Sequence, residues 1–284
     1  MILALILSIL VTAVGIVFPN VFETVAQLTK EFDFSLVLIN VMLPFLLFAG
    51  AISINLQDLL EDKLTILLLA TFGVFFSTFV VGSGLFWLIQ QPVFGLNQIG
   101  LTFVDCLLFG ALIAPTDPIA VLALLKNMNL SSKTKTVIAG ESLFNDGIGY
   151  VIFLLLVGIA FSIDGHNQTS LTDILILFCT EVFGGALLGA GLGFFTFSLM
   201  KRIDDYSLEV LLTLGLALGG YQLAIFLHLS GPIMVVVAGL FIGHVGLKRG
   251  MSAITRDYIN AFWKLIDEML NAILFLLIGI KVLS

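Results

Sequence analysis

The chain reads as an all-α polytopic membrane protein, and three observations predict that class. Hydrophobic residues make up 60% of its 284 residues and charged residues 11%, where a soluble domain carries about 25% charged residues. The mean hydropathy of +1.17 follows from that balance. The apolar stretches are continuous rather than alternating, which fits spanning helices and not barrel strands. The loop cations gather on alternate loops, as an oriented helical bundle requires.

The first expected span covers 2–18 and ends at Pro19 and Asn20. It has no basic leading region and no small-residue cleavage site around Gly15 to Pro19, so it reads as a span and not a signal peptide. The second span covers 34–54 and carries Pro44; a short acidic loop over 55–63 follows. The third covers 64–89. The fourth starts near Gln98, breaks at Ala114-Pro115-Thr116-Asp117-Pro118 and resumes over 119–125. The fifth covers 136–162. The sixth, 171–200, holds Gly184, Gly185, Gly189, Gly191 and Gly193, which permit close helix approach. Stretches 208–227, 231–245 and 258–283 bring the expected count to nine.

Lys63 follows span two; Lys126, Lys133 and Lys135 follow span four; Lys201 and Arg202 follow span six; Lys248, Arg249 and Arg256 follow span eight. The intervening loops hold only Lys30, while Lys264 and Lys281 fall within the last span. By the positive-inside rule the loops after spans two, four, six and eight are cytoplasmic, with Met1 inside and Ser284 outside. The expected location is the cell membrane and the expected partner is the lipid bilayer. A basic nucleic-acid footprint is absent, and the net charge of −7 says little when so few residues meet water. Cys106 and Cys179 lie in apolar runs and read as small core residues, not as a disulfide or a metal framework.

Two stretches carry chemistry. Pro115 and Pro118 flank Thr116 and Asp117, and proline removes a backbone donor and clashes with the preceding turn, so the fourth span is not one continuous helix. Asp117 then reads as the N-cap of a half-helix that Pro118 begins, with the positive helix end facing Asp117. Unwound backbone at that depth is tolerated only where it is buried or lines a cavity. Broken helices at the midplane coordinate ions in secondary transporters. A proline kink with a capping Asp fits the same residues.

The second stretch is Gly140-Glu141-Ser142-Leu143-Phe144-Asn145-Asp146-Gly147, inside the fifth span. An acid at mid-membrane costs about 2.5–3.5 kcal/mol on insertion scales. At about 100° per residue, Glu141 shares a face with Asn145, and Ser142 with Asp146. Glu141 and Asp146 point roughly 140° apart, so they have different tasks. One faces an ion path; the other faces packed protein and needs a cationic partner. Asn145 is neutral and hydrogen-bonds both ways, suited to positioning Asp146. A carboxylate held in low dielectric titrates nearer neutral pH and binds either a proton or a small cation. That competition is sufficient for cation/proton exchange if the site opens to one side at a time. An interhelical polar clamp is the other reading of the stretch.

These two motifs, about 23 residues apart, resemble the sodium/proton antiporters of the monovalent cation:proton antiporter-1 family, in its NhaP-like bacterial branch. The stretch from Leu43 to Ala51 and the stretch from Phe262 to Gly279 are also similar to it, so the resemblance covers essentially the whole chain. It implies an NhaA-like inverted-repeat antiporter fold with a discontinuous helix, no enzyme and no resident cofactor. The cargo would be Na+ or another monovalent cation, and H+. Motif by motif, Asp146 would be the exchange carboxylate, and Thr116, Ser142 and Asp146 the transient cation ligands. Asp117 would compensate the half-helix ends. Glu141 would be the structural acid that pairs with an Arg on a late core helix. The Asn145-Asp146 form is associated with electroneutral exchange. The implied organisation is 1–63 and 207–284 as a dimerisation scaffold, 64–163 as half of the ion-transporting core, and 164–206 as a linker span, in a homodimer when complete.

Three departures accompany the resemblance. Ala49 stands where many members have an acid. No Arg lies inside an expected span. By the family's pattern roughly nine of about a dozen spans are present, and both ends look cut. The expectation is therefore an incomplete chain that does not transport alone. Other readings stay open: a cation channel, which needs no titrating carboxylate; an intramembrane aspartyl hydrolase, with two acids sharing a proton; and an inert structural remnant. Elsewhere, His228 and His244 sit at span ends as packing residues or pH sensors. Trp87 and Trp263 read as interface anchors. Lys264, Asp267 and Glu268 are placed for local ion pairs, and Asn271 for a dimer interface or a neighbouring helix.

Overall fold

The computed structural model of the chain describes residues 34–91, 100–116, 131–163, 171–203, 205–246 and 253–283. Among the described residues there is no strand. Helix α1 covers 34–53 with a π-helical turn at Leu38–Met42. The short α2 is Leu56–Glu61, and α3 is Lys63–Ile89 with a π turn at Leu69–Gly73. Then come α4, Phe103–Ile113; α5, Ser132–Ile163; α6, Leu171–Met200; and α7, Tyr206–Phe226. Helix α8 covers 231–246 and ends in a π turn at Ile242–Gly246; α9 is Ala253–Leu283. A helix stands at each expected span from the second to the ninth, and the first expected span lies outside the described residues. Lys63–Ile89, Lys133–Ala160, Leu175–Met200 and Tyr206–Phe226 are long and apolar enough to cross a membrane; Leu38–Ser53, Phe103–Ile113 and Gly231–His244 are shorter apolar helices.

The helix starts are written in the local sequence. Thr102 and Asp105 form a reciprocal capping box at α4. Asp205 accepts from the Ser207 and Leu208 amides at α7. Ser230 accepts from the Ile233 amide at α8, with Pro232 in the first turn. Each such cap stabilises its helix by about 1 kcal/mol. Helix α4 stops at Ile113, because Pro115 has no N–H with which to continue the ladder.

Helix α8 is apolar on every side, and the bundle closes round it. Its Met234, Val235, Val236 and Leu240 join Phe48, Tyr221, Ile259 and Trp263 in the larger core, which α1, α7 and α9 share. Its Ile233 belongs instead to a second core of Val74, Ala111, Ala114, Ile148, Val151, Ile152 and Leu155, from α3, α4 and α5. Helix α6 lies along α8 so closely that a Cβ on Gly189 would collide with the Met234 carbonyl. The outer faces carry Phe72, Phe76 and Phe79 on α3 and Phe183, Leu187 and Phe194 on α6, all exposed, an apolar surface suited to lipid.

Three expectations change here. Trp263 is not an interface anchor: it is 1% exposed, packs on Phe48 at 4.6 Å between ring centroids, and donates its indole N–H to Thr213 Oγ1 at 3.0 Å. Trp87, near the end of α3, is exposed, as an anchor is. Cys106 is buried, but Cys179 is on the exposed side of α6 and is no core residue. Asn271 donates to Asp267 Oδ1 at 3.0 Å within its own helix. Lys264 stands 4.0 Å from Glu268, one turn along α9.

Candidate functional site

The site lies where the end of α4 meets the middle of α5. Glycine sets the approach: a Cβ on Gly149 would stand 2.6 Å from Pro115 Cγ, so the unwound segment after α4 rests directly on α5. A Cβ on Gly147 would likewise meet Ile233 Cγ1 at 2.6 Å, which seats α5 against α8. This brings Thr116, on the link beyond α4, to Glu141, Ser142 and Asn145 on α5.

These four side chains form one hydrogen-bonded network. Asn145 donates through Nδ2 to Glu141 Oε1 at 2.9 Å and to Thr116 Oγ1 at 2.8 Å. Thr116 Oγ1 donates to Glu141 Oε2 at 3.3 Å and lies 3.2 Å from Ser142 Oγ. Ser142 Oγ donates to Glu141 Oε2 at 3.5 Å. Asn145 is fully buried and Ser142 is 2% exposed, while Thr116 is exposed, so the network is sealed at α5 and open at the link.

The spacing has chemical meaning. Thr116 Oγ1, Ser142 Oγ and Glu141 Oε2 are mutually 3.2, 3.3 and 3.5 Å apart. Oxygen ligands at about 2.4 Å from a cation the size of Ca2+, close to that of Na+, stand about 3.4 Å from their octahedral neighbours. The three oxygens thus have the separation of adjacent ligands on a small cation. Among the described residues no cluster of His, Cys, Asp and Glu has the makings of a resident metal site. One further acceptor is in reserve: Asn145 Oδ1 is buried and takes no hydrogen bond among the described residues.

The Glu141–Asn145 pairing follows from their four-residue spacing. The expectation that Asn145 serves Asp146 is not what its donors do, since both go to Glu141 and Thr116. Nor does Glu141 stand apart as a packed acid: it takes hydrogen bonds from three side chains of the network. Asp146 is half-buried on α5, one residue beyond Asn145. Asp117 and Pro118 lie outside the described residues. Sequence reasoning missed Gly149, whose signal was its place three residues past Asp146 with no other reason to be small. It also missed Tyr150 and Glu181, each polar within an apolar span.

A family model described as the transmembrane sodium/hydrogen exchanger matches residues 2–284. The Na+/H+ antiporter NhaP of Pseudomonas aeruginosa is 45% identical over 281 residues, which are 99% of this chain and 64% of that protein. NhaH of Halobacillus dabanensis is 34% identical, over 97% of this chain and 67% of its own. ApNhaP of Aphanothece halophytica is 39% identical, over 85% and 44%. The chain thus spans about two-thirds of these relatives' length or less. Among solved structures, the sodium proton antiporter MjNhaP1 from Methanocaldococcus jannaschii at pH 8 superposes with a TM-score of 0.71 at 20% identity, covering 98% of this chain and 68% of that one.

Proposed function

The chain belongs to the sodium/hydrogen exchanger family, in its NhaP-like branch, and from that premise we propose that it carries the ion-binding site of a secondary transporter exchanging Na+ for H+. The observation that supports this best is the network of Thr116, Glu141, Ser142 and Asn145 at the broken end of α4, with three oxygens at cation-ligand spacing.

In this reading Asp146 is the exchange carboxylate. Na+ and H+ compete for it, and Thr116 and Ser142 complete the cation's shell. Glu141 and Asn145 hold Thr116 in place, so the unwound link is positioned by α5. Asp117 and Pro118 would start the second half-helix and face the site with its positive end. Because Asn145 stands beside Asp146 where a second acid would add a charge, one cation replaces one proton and the exchange is electroneutral. Alternating access moves the second core, with 64–163 as half of the mobile unit, against a scaffold from 1–63 and 207–284, with 164–206 as the linking span. The partition of α3, α4 and α5 into their own apolar cluster supports that division. The nine-span inverted repeat, the homodimer, the cell-membrane location and the cytoplasmic loops after spans two, four, six and eight belong to the same proposal. The family stands against a hydrolase, and a titrating carboxylate against a channel.

Everted membrane vesicles from cells that express the protein test this. Added sodium collapses the pH gradient, and the response is lost in Asp146→Ala. Absence of any response to sodium, potassium or lithium from mildly acidic to alkaline pH would sink the proposal.

A further inference from the structure

Exchange at α4 and α5 leaves one acid of α6 without a task. Glu181 lies inside Leu175–Met200, and its Oε2 is buried with no hydrogen-bond partner among the described residues. Its main-chain carbonyl accepts from the Ser230 N–H at 3.2 Å, which ties α6 to the turn between α7 and α8. Gly185, one turn on, makes the approach possible: a Cβ there would stand 2.6 Å from Ser230 O. The same turn carries His228, exposed and held at φ 55°, within electrostatic reach of Glu181.

Tyr150 of α5 is within electrostatic reach of Glu181 on its other side. Tyr221 of α7 in turn interacts with Tyr150. Tyr221 is fully buried against Gly231, and its hydroxyl also lacks a partner among the described residues. Tyr150 is four residues beyond Asp146, one turn along the same face of α5. The cluster therefore runs from the exchange carboxylate, through two tyrosines and an acid, to an exposed histidine at the end of the bundle.

Leaving buried oxygens unpaired is unfavourable, so packing alone gives no reason for two of them here. A protonated carboxyl supplies a donor that a carboxylate lacks. We propose that Glu181 is a second proton-binding site of the exchanger, linked to Asp146 through Tyr150 and Tyr221, with His228 lining its opening to water. This rests on the exchange reading above. The proton count balances. The Glu181 carboxyl gives its proton to the Tyr150 oxygen as Tyr150 releases its own to Asp146. Glu181 is left a carboxylate and Asp146 a carboxyl, and a proton from water near His228 reloads Glu181. The groups that face Glu181 from the packed elements are Tyr150, Tyr221 and His228.

The test uses the full chain in everted vesicles, with sodium-driven exchange measured across pH. Glu181→Gln lowers the rate about tenfold or more and shifts the pH profile, and Glu181→Asp restores both. Tyr150→Phe and Tyr221→Phe keep the rings and give smaller losses with the same shift. If the Asp146→Ala control still exchanges, the exchange reading fails. With that control dead, a wild-type rate and profile in Glu181→Gln overturn the relay. So does a uniform loss across pH that Glu181→Asp does not rescue. Should Glu181→Gln not reach the membrane, unchanged profiles in both tyrosine variants overturn it instead.

Discussion

Trp263 and Asn145 are both sealed from solvent, at 1% and 0% exposed, yet they are held in different ways. Trp263 has one polar atom and gives it one partner, Thr213, whose own hydroxyl donates to the Val210 carbonyl at 2.7 Å. Everything round it is neutral and satisfied, with Phe45, Phe48 and Phe262 against the ring. Asn145 bonds a carboxylate and an exposed hydroxyl and keeps an acceptor unused. The first arrangement holds helices together; the second holds a charge in place and retains capacity for another ion. Burial alone therefore does not separate scaffold from site in this bundle, whereas residual hydrogen-bonding capacity does.

Substitutions can break that contrast. The largest effect is expected from Asn145→Leu. It removes two bonds from a network containing a charge, each worth roughly 1.5–3 kcal/mol. Sodium-driven exchange should fall by roughly a hundredfold while the protein still accumulates in the membrane. Near-normal exchange would place Asn145 with Trp263 as scaffold. Gly149→Ala follows, because its Cβ pushes Pro115 and Thr116 off α5; about a tenfold rise in the sodium concentration for half-maximal exchange is the expected reading. An unchanged sodium dependence would show that the link is not set by that contact.

Trp263→Phe sharpens the comparison from the other side. It loses the bond to Thr213, about 1 kcal/mol, and some packed area. The thermal midpoint in detergent should drop by a few degrees, with sodium dependence intact. A changed sodium dependence would mean that the scaffold core reaches the site. Lys133→Ala gives the smallest effect: its 2.9 Å bridge to Asp62 is exposed at the lysine, and neither exchange nor thermal midpoint should move measurably.

Much of this was legible in the chain itself. Pro115 announced the end of α4, and the four-residue spacing of Glu141 and Asn145 announced their pairing. Both are local signals, carried by backbone chemistry and helical pitch. What was not legible depends on partners distant in sequence. Trp263 resembles an interface anchor until Phe48 and Thr213 close over it from α1 and α7. Asn145 was assigned to its neighbour Asp146, yet its donors turn to Thr116, 29 residues away. Cys179 has apolar neighbours like Cys106, and only packing decides which of the two faces outward. Glu181 stood out as an acid in an apolar run, but nothing local links it to Tyr150, Tyr221 and His228.

The π turn of α3 at Leu69–Gly73 holds more residues than an α-helical turn. Losing one codon there would restore α-periodicity and rotate all that follows by about 100°. Thr78 and Gly82, which fit against Gly110 and Leu107 of α4, would swing off that seam. A point substitution can be absorbed by shifting rotamers, but a reading frame one codon shorter has no such remedy. In-frame deletions within α3 are thus expected to survive only beside a compensating insertion. The length of this gene segment is then under selection in its own right, apart from which amino acids fill it.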